Sequence, residues 1–200
     1  TSGMSIVQWT GDGTTATIGT GLNAVPKMII TKRLDTGDNY LTYHSSLGNT
    51  KYILLEASDA EATSSGAWNN TSPTSSVFTK ASATNVSGGT YIAYCFSQKS
   101  GFSSMASYVG NQNANGSFIY TGFKPAFVMI KNATQSGDRW IIHDNKRDVD
   151  NGCNHRLFPD GNIAESTSTT SLDFLSNGFK QRTDAGTSNT NGQTYIYMAF

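Results

Sequence analysis

The sequence matches itself. PKMIITKRLDTGDNYLTYH, starting at Pro26, returns roughly a hundred residues later as PAFVMIKNATQSGDRWIIHD, starting at Pro125. Pro26 falls on Pro125, Lys32 on Lys131, Gly37 on Gly137, Asp38 on Asp138 and Tyr40 on Trp140. Gly11 precedes the first block as Gly110 precedes the second, and Phe78 follows as Phe179 does. Each copy closes on a similar run, GTYIAYCF ending at Phe96 and QTYIYMAF ending at Phe200. One duplication of this length is not a solenoid or a propeller, which stack three or more shorter repeats. It leaves two small sandwiches or two halves of a larger one. The second is the expectation: a single domain over residues 1–200, with repeat halves near 1–100 and 101–200. The connecting SQKSGFSS is neither long nor charged enough for a mobile linker, and the length is ordinary for one all-β domain.

The residues between the matched positions specify strands. In MIIT (28–31) and FVMIK (127–131) the apolar residues are consecutive, which in so short and branched a run predicts a strand buried on both faces. YLTYH (40–44) and TYIAYCF (90–96) mix large aromatics with small or polar residues, as strands with one face on a core do. Turn signals separate them, among them Thr36-Gly37-Asp38, Ser136-Gly137-Asp138 and Ser176-Asn177-Gly178. About seven strands per copy, about fourteen in all, are expected. LLEASDAEA (54–62) is the one stretch read as a helical turn or two. Strands in this number need each inner face covered by another sheet, so the fold class is all-β, a two-sheet jelly-roll sandwich.

Charge then excludes partners. The chain is 14% charged with a formal net charge of zero. That removes the basic footprint nucleic acid or an anionic membrane requires, and the pairs Lys32-Arg33 and Lys146-Arg147 are too short to restore it. No apolar run approaches the roughly 20 residues of a membrane helix. TSGMSIVQW lacks the charged and apolar regions of a secretory signal. Cys95 aligns with Ala199, which favours a small buried residue over a bridge to Cys153.

The order of blocks GTGLNAVPKMIITKR, LTYHSSLGNTKYILL, AWNNTSPTSSVF, GGTYIAYCF, YTGFKPAFVMIKN and SLDFLSNGFK resembles an uncharacterised domain family of marine bacteriophage virion and tail-fibre-like proteins. The resemblance covers nearly the whole chain. It implies a concanavalin-like jelly roll in a structural or adhesive protein of the virion surface, with other virion proteins or copies of itself as partners and a homo-oligomeric state. It brings no catalytic motif.

Chemistry is sparse. The three glutamates, Glu56, Glu61 and Glu165, lie in segments read as loop or short helix, and no strand carries the facing carboxylates of glycoside hydrolysis. His143-Asp144 is the one suggestive pair for nucleophilic catalysis. Neighbours on a strand point to opposite faces, so it is not a base with its orienting acid. No GxSxG, HExxH, CxxC or P-loop occurs, and no cofactor is expected. Calcium needs only clustered oxygens; Asp144, Asp148 and Asp150 in DNKRDVDNG are weak candidates, opposed by Lys146 and Arg147 within the cluster, and Asp12 is another acid in a turn. For a glycan, an exposed ring beside amides is required. Trp68-Asn69-Asn70 supplies that combination, and Trp68 has no counterpart in the second copy. The competing reading makes Trp68 a cap on the end of the sandwich.

Three readings stay open: a non-enzymatic virion surface module whose loops touch host carbohydrate, a fibre- or lattice-forming module with no ligand, and a glycan hydrolase or lyase on the same frame.

Overall fold

The computed structural model describes residues 3–184 and 186–200, the side chains of 168–170 excepted. It is all-β, as the strand and turn signals predict, and its strands pair antiparallel. The chain divides into two compact units, one of residues up to Glu56 with Glu61–Gln98, the other of Ala57–Ala60 with Lys99–Phe200.

The first unit holds β1 (Met4–Thr10), β2 (Ala16–Gly19), β3 (Met28–Arg33), β4 (Leu41–His44), β5 (Lys51–Leu54), β6 (Ala62–Thr63), the short helix α1 (Ser65–Trp68), β7 (Val77–Lys80) and β8 (Thr90–Phe96). Its sheets run β1-β8-β3-β4-β5-β6 and β2-β7. Trp9, Ile29, Tyr43, Ala93 and Cys95 of the larger sheet pack in one core with Ile18 and Phe78 of the smaller. The second unit holds β9 (Ser104–Val109), β10 (Phe118–Tyr120), β11 (Phe127–Asn132), β12 (Ile141–Asp144), β13 (Cys153–Arg156), β14 (Ser166–Leu175), β15 (Gly178–Gln181), α2 (Gly186–Asn189) and β16 (Thr194–Ala199). Its sheets run β12-β11-β16-β9 and β10-β15-β14-β13. Val128, Ile130, Tyr195 and Tyr197 of the one meet Ile119, Leu172, Phe174 and Phe179 of the other.

The residues expected to form one sandwich are divided between these two units. Each carries both a core-facing sheet and the sheet that covers it, so each assembles its own core. The consecutive apolar runs behave as expected: Met28 to Thr31 and Val128 to Asn132 are buried at every residue, on both faces. The helix expected at 54–62 does not form. Its backbone serves a neighbouring turn instead, with the Ser58 carbonyl accepting from the Gly137 amide at 2.9 Å and the Ala60 amide donating to Ser136 Oγ at 3.0 Å.

The residues shared by the two sequence blocks have local work to do. Lys32 Nζ donates to the carbonyls of Thr36 and Asp38, and Lys131 Nζ to those of Asp138 (2.7 Å), Asn132 (3.0 Å) and Ser58 (3.2 Å). Each lysine thus fastens the turn that follows its strand. Burial drives the Lys131 amine down to about 8, against the opposing pull of the Asp138 charge. Tyr40 and Trp140, matched positions in the two blocks, differ. Trp140 is 1% exposed, whereas Tyr40 is 36% exposed, with the Lys32 ammonium 5.3 Å above its ring at the surface.

Candidate functional site

Trp68 was the expected ligand contact, and its ring is buried, 2% exposed. Ser64 caps α1, its Oγ accepting from the Gly66 amide at 3.1 Å. That turn directs the indole inward, where Nε1 donates to the Lys51 carbonyl at 3.0 Å and the ring meets Tyr43 edge-on at 5.9 Å. The helix ends in the left-handed conformations of Asn69 and Asn70 (φ 51° and 50°), and both residues are exposed. Trp68 belongs to the core.

The weak calcium candidates do not converge. Asp144 binds Arg147 Nε (2.8 Å) and the amides of Lys146 and Arg147, Asp148 binds His155 Nδ1 (2.7 Å) and the amides of Asn154 and His155, and Asp150 is exposed. Asp12 accepts from the Thr14 amide (2.9 Å), the Asn85 side-chain amide, the Thr14 hydroxyl (2.9 Å) and Lys80 Nζ (3.1 Å), contacts that keep its carboxyl far below the usual range. Among the described residues no three His, Cys, Asp or Glu stand close enough to hold a metal ion. Each glutamate also has a protein partner: Glu56 accepts from the Tyr40 amide, Glu61 pairs with Lys51 and Glu165 with Arg147. His143 is buried with Nδ1 3.1 Å from the His155 carbonyl, while Asp144 faces Arg147, the opposite orientations a strand imposes. Cys95 and Cys153 are buried and unbridged.

A different pair of rings reaches solvent. On β10 only Ile119 faces the core; Phe118 and Tyr120 point outward, 46% and 67% exposed. Residues two apart on a strand share a face about 7 Å apart, so the rings stand side by side. Each leans on a glycine. The Phe118 ring lies 3.0 Å from where a Cβ of Gly178 would stand, and the Tyr120 ring lies 3.6 to 3.8 Å from that of Gly122. Gly122 has φ +85°, a conformation that suits glycine, in a turn pinned by two amides, Thr121 and Gly122, that donate to the Asn177 carbonyl at 3.0 and 3.2 Å.

The loop leading into β10 is fastened from below. Buried Asn189 donates from Nδ2 to Asn111 Oδ1 (3.0 Å), the Asn113 carbonyl (3.0 Å) and the Thr183 carbonyl (2.7 Å). Asn111 and Asn113 each accept from an amide two residues on, the Asx-turn geometry, and Asn115 Oδ1 accepts from Lys180 Nζ at 2.6 Å. Lys180 pairs directly with Phe118 across the sheet and Gly178 with Tyr120. The result is an open aromatic edge beside amides and an ammonium. No pocket is present among the described residues.

The first unit supplies a contrast. β2 pairs with β7 in the same register, Ile18 opposite Phe78 as Ile119 is opposite Phe179. Where the second unit has Phe118 and Tyr120, the first has Thr17 and Gly19. The fold therefore does not require the two aromatics. Aligning ATIGTG (16–21) with SFIYTG (117–122), on the shared Ile and Thr-Gly, is the sequence signal that would have found them.

An all-β protein of antiparallel two-sheet units, presenting a paired aromatic edge on one of them, is the class that fold and site define. The chain belongs to the family described as Domain of unknown function (DUF7483), whose model matches residues 1–200. No curated protein and no solved structure matches it.

Proposed function

We propose that this chain is a non-enzymatic surface module that binds glycans along the Phe118–Tyr120 edge, displayed on the outside of a bacteriophage particle as part of a tail fibre or capsid exterior. The observation that carries the binding reading is the pair of solvent-facing rings at positions where the same strand register elsewhere in the chain uses Thr17 and Gly19. Exposed rings offer the apolar face of a pyranose a stacking partner, and the neighbouring amides and ammonium suit its hydroxyls. An open edge, rather than a pocket, suits an extended chain over a single sugar. The particle setting rests on the resemblance of the sequence blocks to phage virion proteins.

Affinity electrophoresis through gels containing soluble polysaccharides tests it. Retardation of the wild type, lost in Tyr120→Ala and Phe118→Ala at unchanged melting temperature, is the expected result. Retardation that survives both substitutions would remove the edge from the reading.

One feature favours association of copies. β1 lies at the edge of its sheet in unbroken register with β8 over its whole length, without charge, proline or bulge, and Ile6 is exposed on it. Such edges pair readily with other strands. Light scattering on the wild type and on Ile6→Lys distinguishes a lattice-forming module, which loses mass on substitution, from a monomeric binder.

A further inference from the structure

We infer that the Phe118–Tyr120 edge selects acidic glycans, polysaccharides whose sugars carry a carboxylate, over neutral ones. The inference rests on the glycan reading above and adds the class of sugar.

It comes from the charge around the rings. Lys180 is the direct cross-strand neighbour of Phe118, a distance of about 5 Å between β-carbons, so its ammonium stands beside any sugar stacked on that ring. Asn115 Oδ1 accepts from Lys180 Nζ at 2.6 Å, which orients the lysine beside the exposed amide of Asn115. An ammonium and an amide N–H side by side match the two oxygens of a carboxylate. Lys124 is exposed two residues past the Gly122 turn that backs Tyr120.

Opposing charge is scarce there. From Ala62 to Gly137 the sequence contains no Asp or Glu. At the loop position where the first unit places Asp12 on its buried asparagine, the second places the neutral Asn111. Asp173, which faces Lys180 from β14, accepts from Arg182 Nε at 3.3 Å and from the Gly152 amide at 3.0 Å, so its charge is already matched. The edge is left with a local excess of positive charge in a chain whose formal net charge is zero. A neutral sugar would make no use of it.

The test uses three soluble probes: polygalacturonate, dextran and dextran sulfate. The wild type should bind polygalacturonate at least about tenfold more tightly than dextran, and raising the salt from low to roughly molar ionic strength should erase most of that preference. Lys180→Gln should weaken polygalacturonate binding about five- to tenfold and leave dextran unchanged, whereas Lys180→Arg should retain it. If Lys180→Gln misfolds, Lys124→Gln and the salt series on the wild type carry the same comparison. Equal binding of polygalacturonate and dextran, or a preference indifferent to salt and to Lys180→Gln, overturns the inference while leaving a glycan site in place. Binding of dextran sulfate without polygalacturonate also overturns it, since the donor pair would then read charge and not the carboxylate. Binding of none of the three ends the glycan reading itself.

Discussion

The ring of Phe118 rests on Gly178, 3.0 Å from the place a β-carbon would occupy. The same β-carbon would run into the carbonyl oxygen of Ile119, the neighbour of Phe118 on β10. Gly178 thus lets an edge strand approach closely and gives the aromatic ring a backing. Gly178→Ala should displace both, at a cost of about 1 to 3 kcal/mol in stability, the range of forced overpacking. Urea denaturation measures the loss. A variant as stable as the wild type would mean that β10 can shift freely and that the ring has no fixed seat.

Asn189 and Asn85 are both fully buried, and each ties a loop to its unit through side-chain amide bonds, Asn85 to Asp12 and the Thr14 carbonyl (2.6 Å), Asn189 to Asn111, Asn113 and Thr183. Truncating Asn189 to Ala removes the donor to the Asn113 and Thr183 carbonyls and the acceptor of the Asn111 amide, while Asn111 Oδ1 keeps the Asn113 amide. The expected cost is about 2 to 4 kcal/mol, since each unsatisfied buried group costs roughly 1 to 3 kcal/mol and the loop relaxes in part. Hydrogen exchange should show loss of protection concentrated at residues 111 to 117. Protection lost evenly over the second unit would contradict a local role.

Ile29 is completely buried at the centre of the first unit, whereas Glu61 makes one partly exposed ion pair with Lys51. Ile29→Ala should cost about 2 to 5 kcal/mol and Glu61→Ala under about 1 kcal/mol. Parallel thermal melts decide the matter. Equal melting temperatures would place Ile29 outside the core.

The two histidines of β12 and β13 should have their titrations shifted in opposite directions. Burial pushes His143 down to about 4, partly offset by its bond to the His155 carbonyl. His155 is raised by its hydrogen bond to Asp148. Between about 4 and the unfolded value near 6.5, His143 takes up a proton only on unfolding, so its contribution is complete above 6.5 and falls with pH through that window by at most about 1.4 kcal/mol per unit. The His155–Asp148 pair has the reverse sign, present below 6.5 and lost as pH rises through the raised value. Ring resonances followed by NMR should show His155 titrating above 6.5 and His143 unprotonated at pH 5. A His143 that titrates near 6.5 would show that the ring is solvated.

What the sequence determined by itself was much of what depends on short-range pattern, the helical turn at 54–62 excepted. Consecutive branched residues at 28–31 and 127–131 can be satisfied only by strands buried on both faces, and they are. The matched Lys32 and Lys131, with Gly-Asp a few residues on, marked turns that the lysine amines fasten to backbone carbonyls. What only the tertiary structure decided was direction. Trp68 reads as a contact because two amides follow it and the second copy has no counterpart, with a sandwich cap as the alternative; the cap from Ser64 and the Lys51 carbonyl, seventeen residues away, turn it inward. Phe118 and Tyr120 drew no expectation from the sequence; only one face of the three-residue edge strand meets a core, and Ile119 occupies it. Burial of a side chain is a property of what covers it, and the sheet that covers Ile119 brings Val128, Ile130, Tyr195 and Tyr197, the last two from the final strand of the chain. Local sequence fixes the alternation of faces, but the partner across the core chooses which face becomes surface.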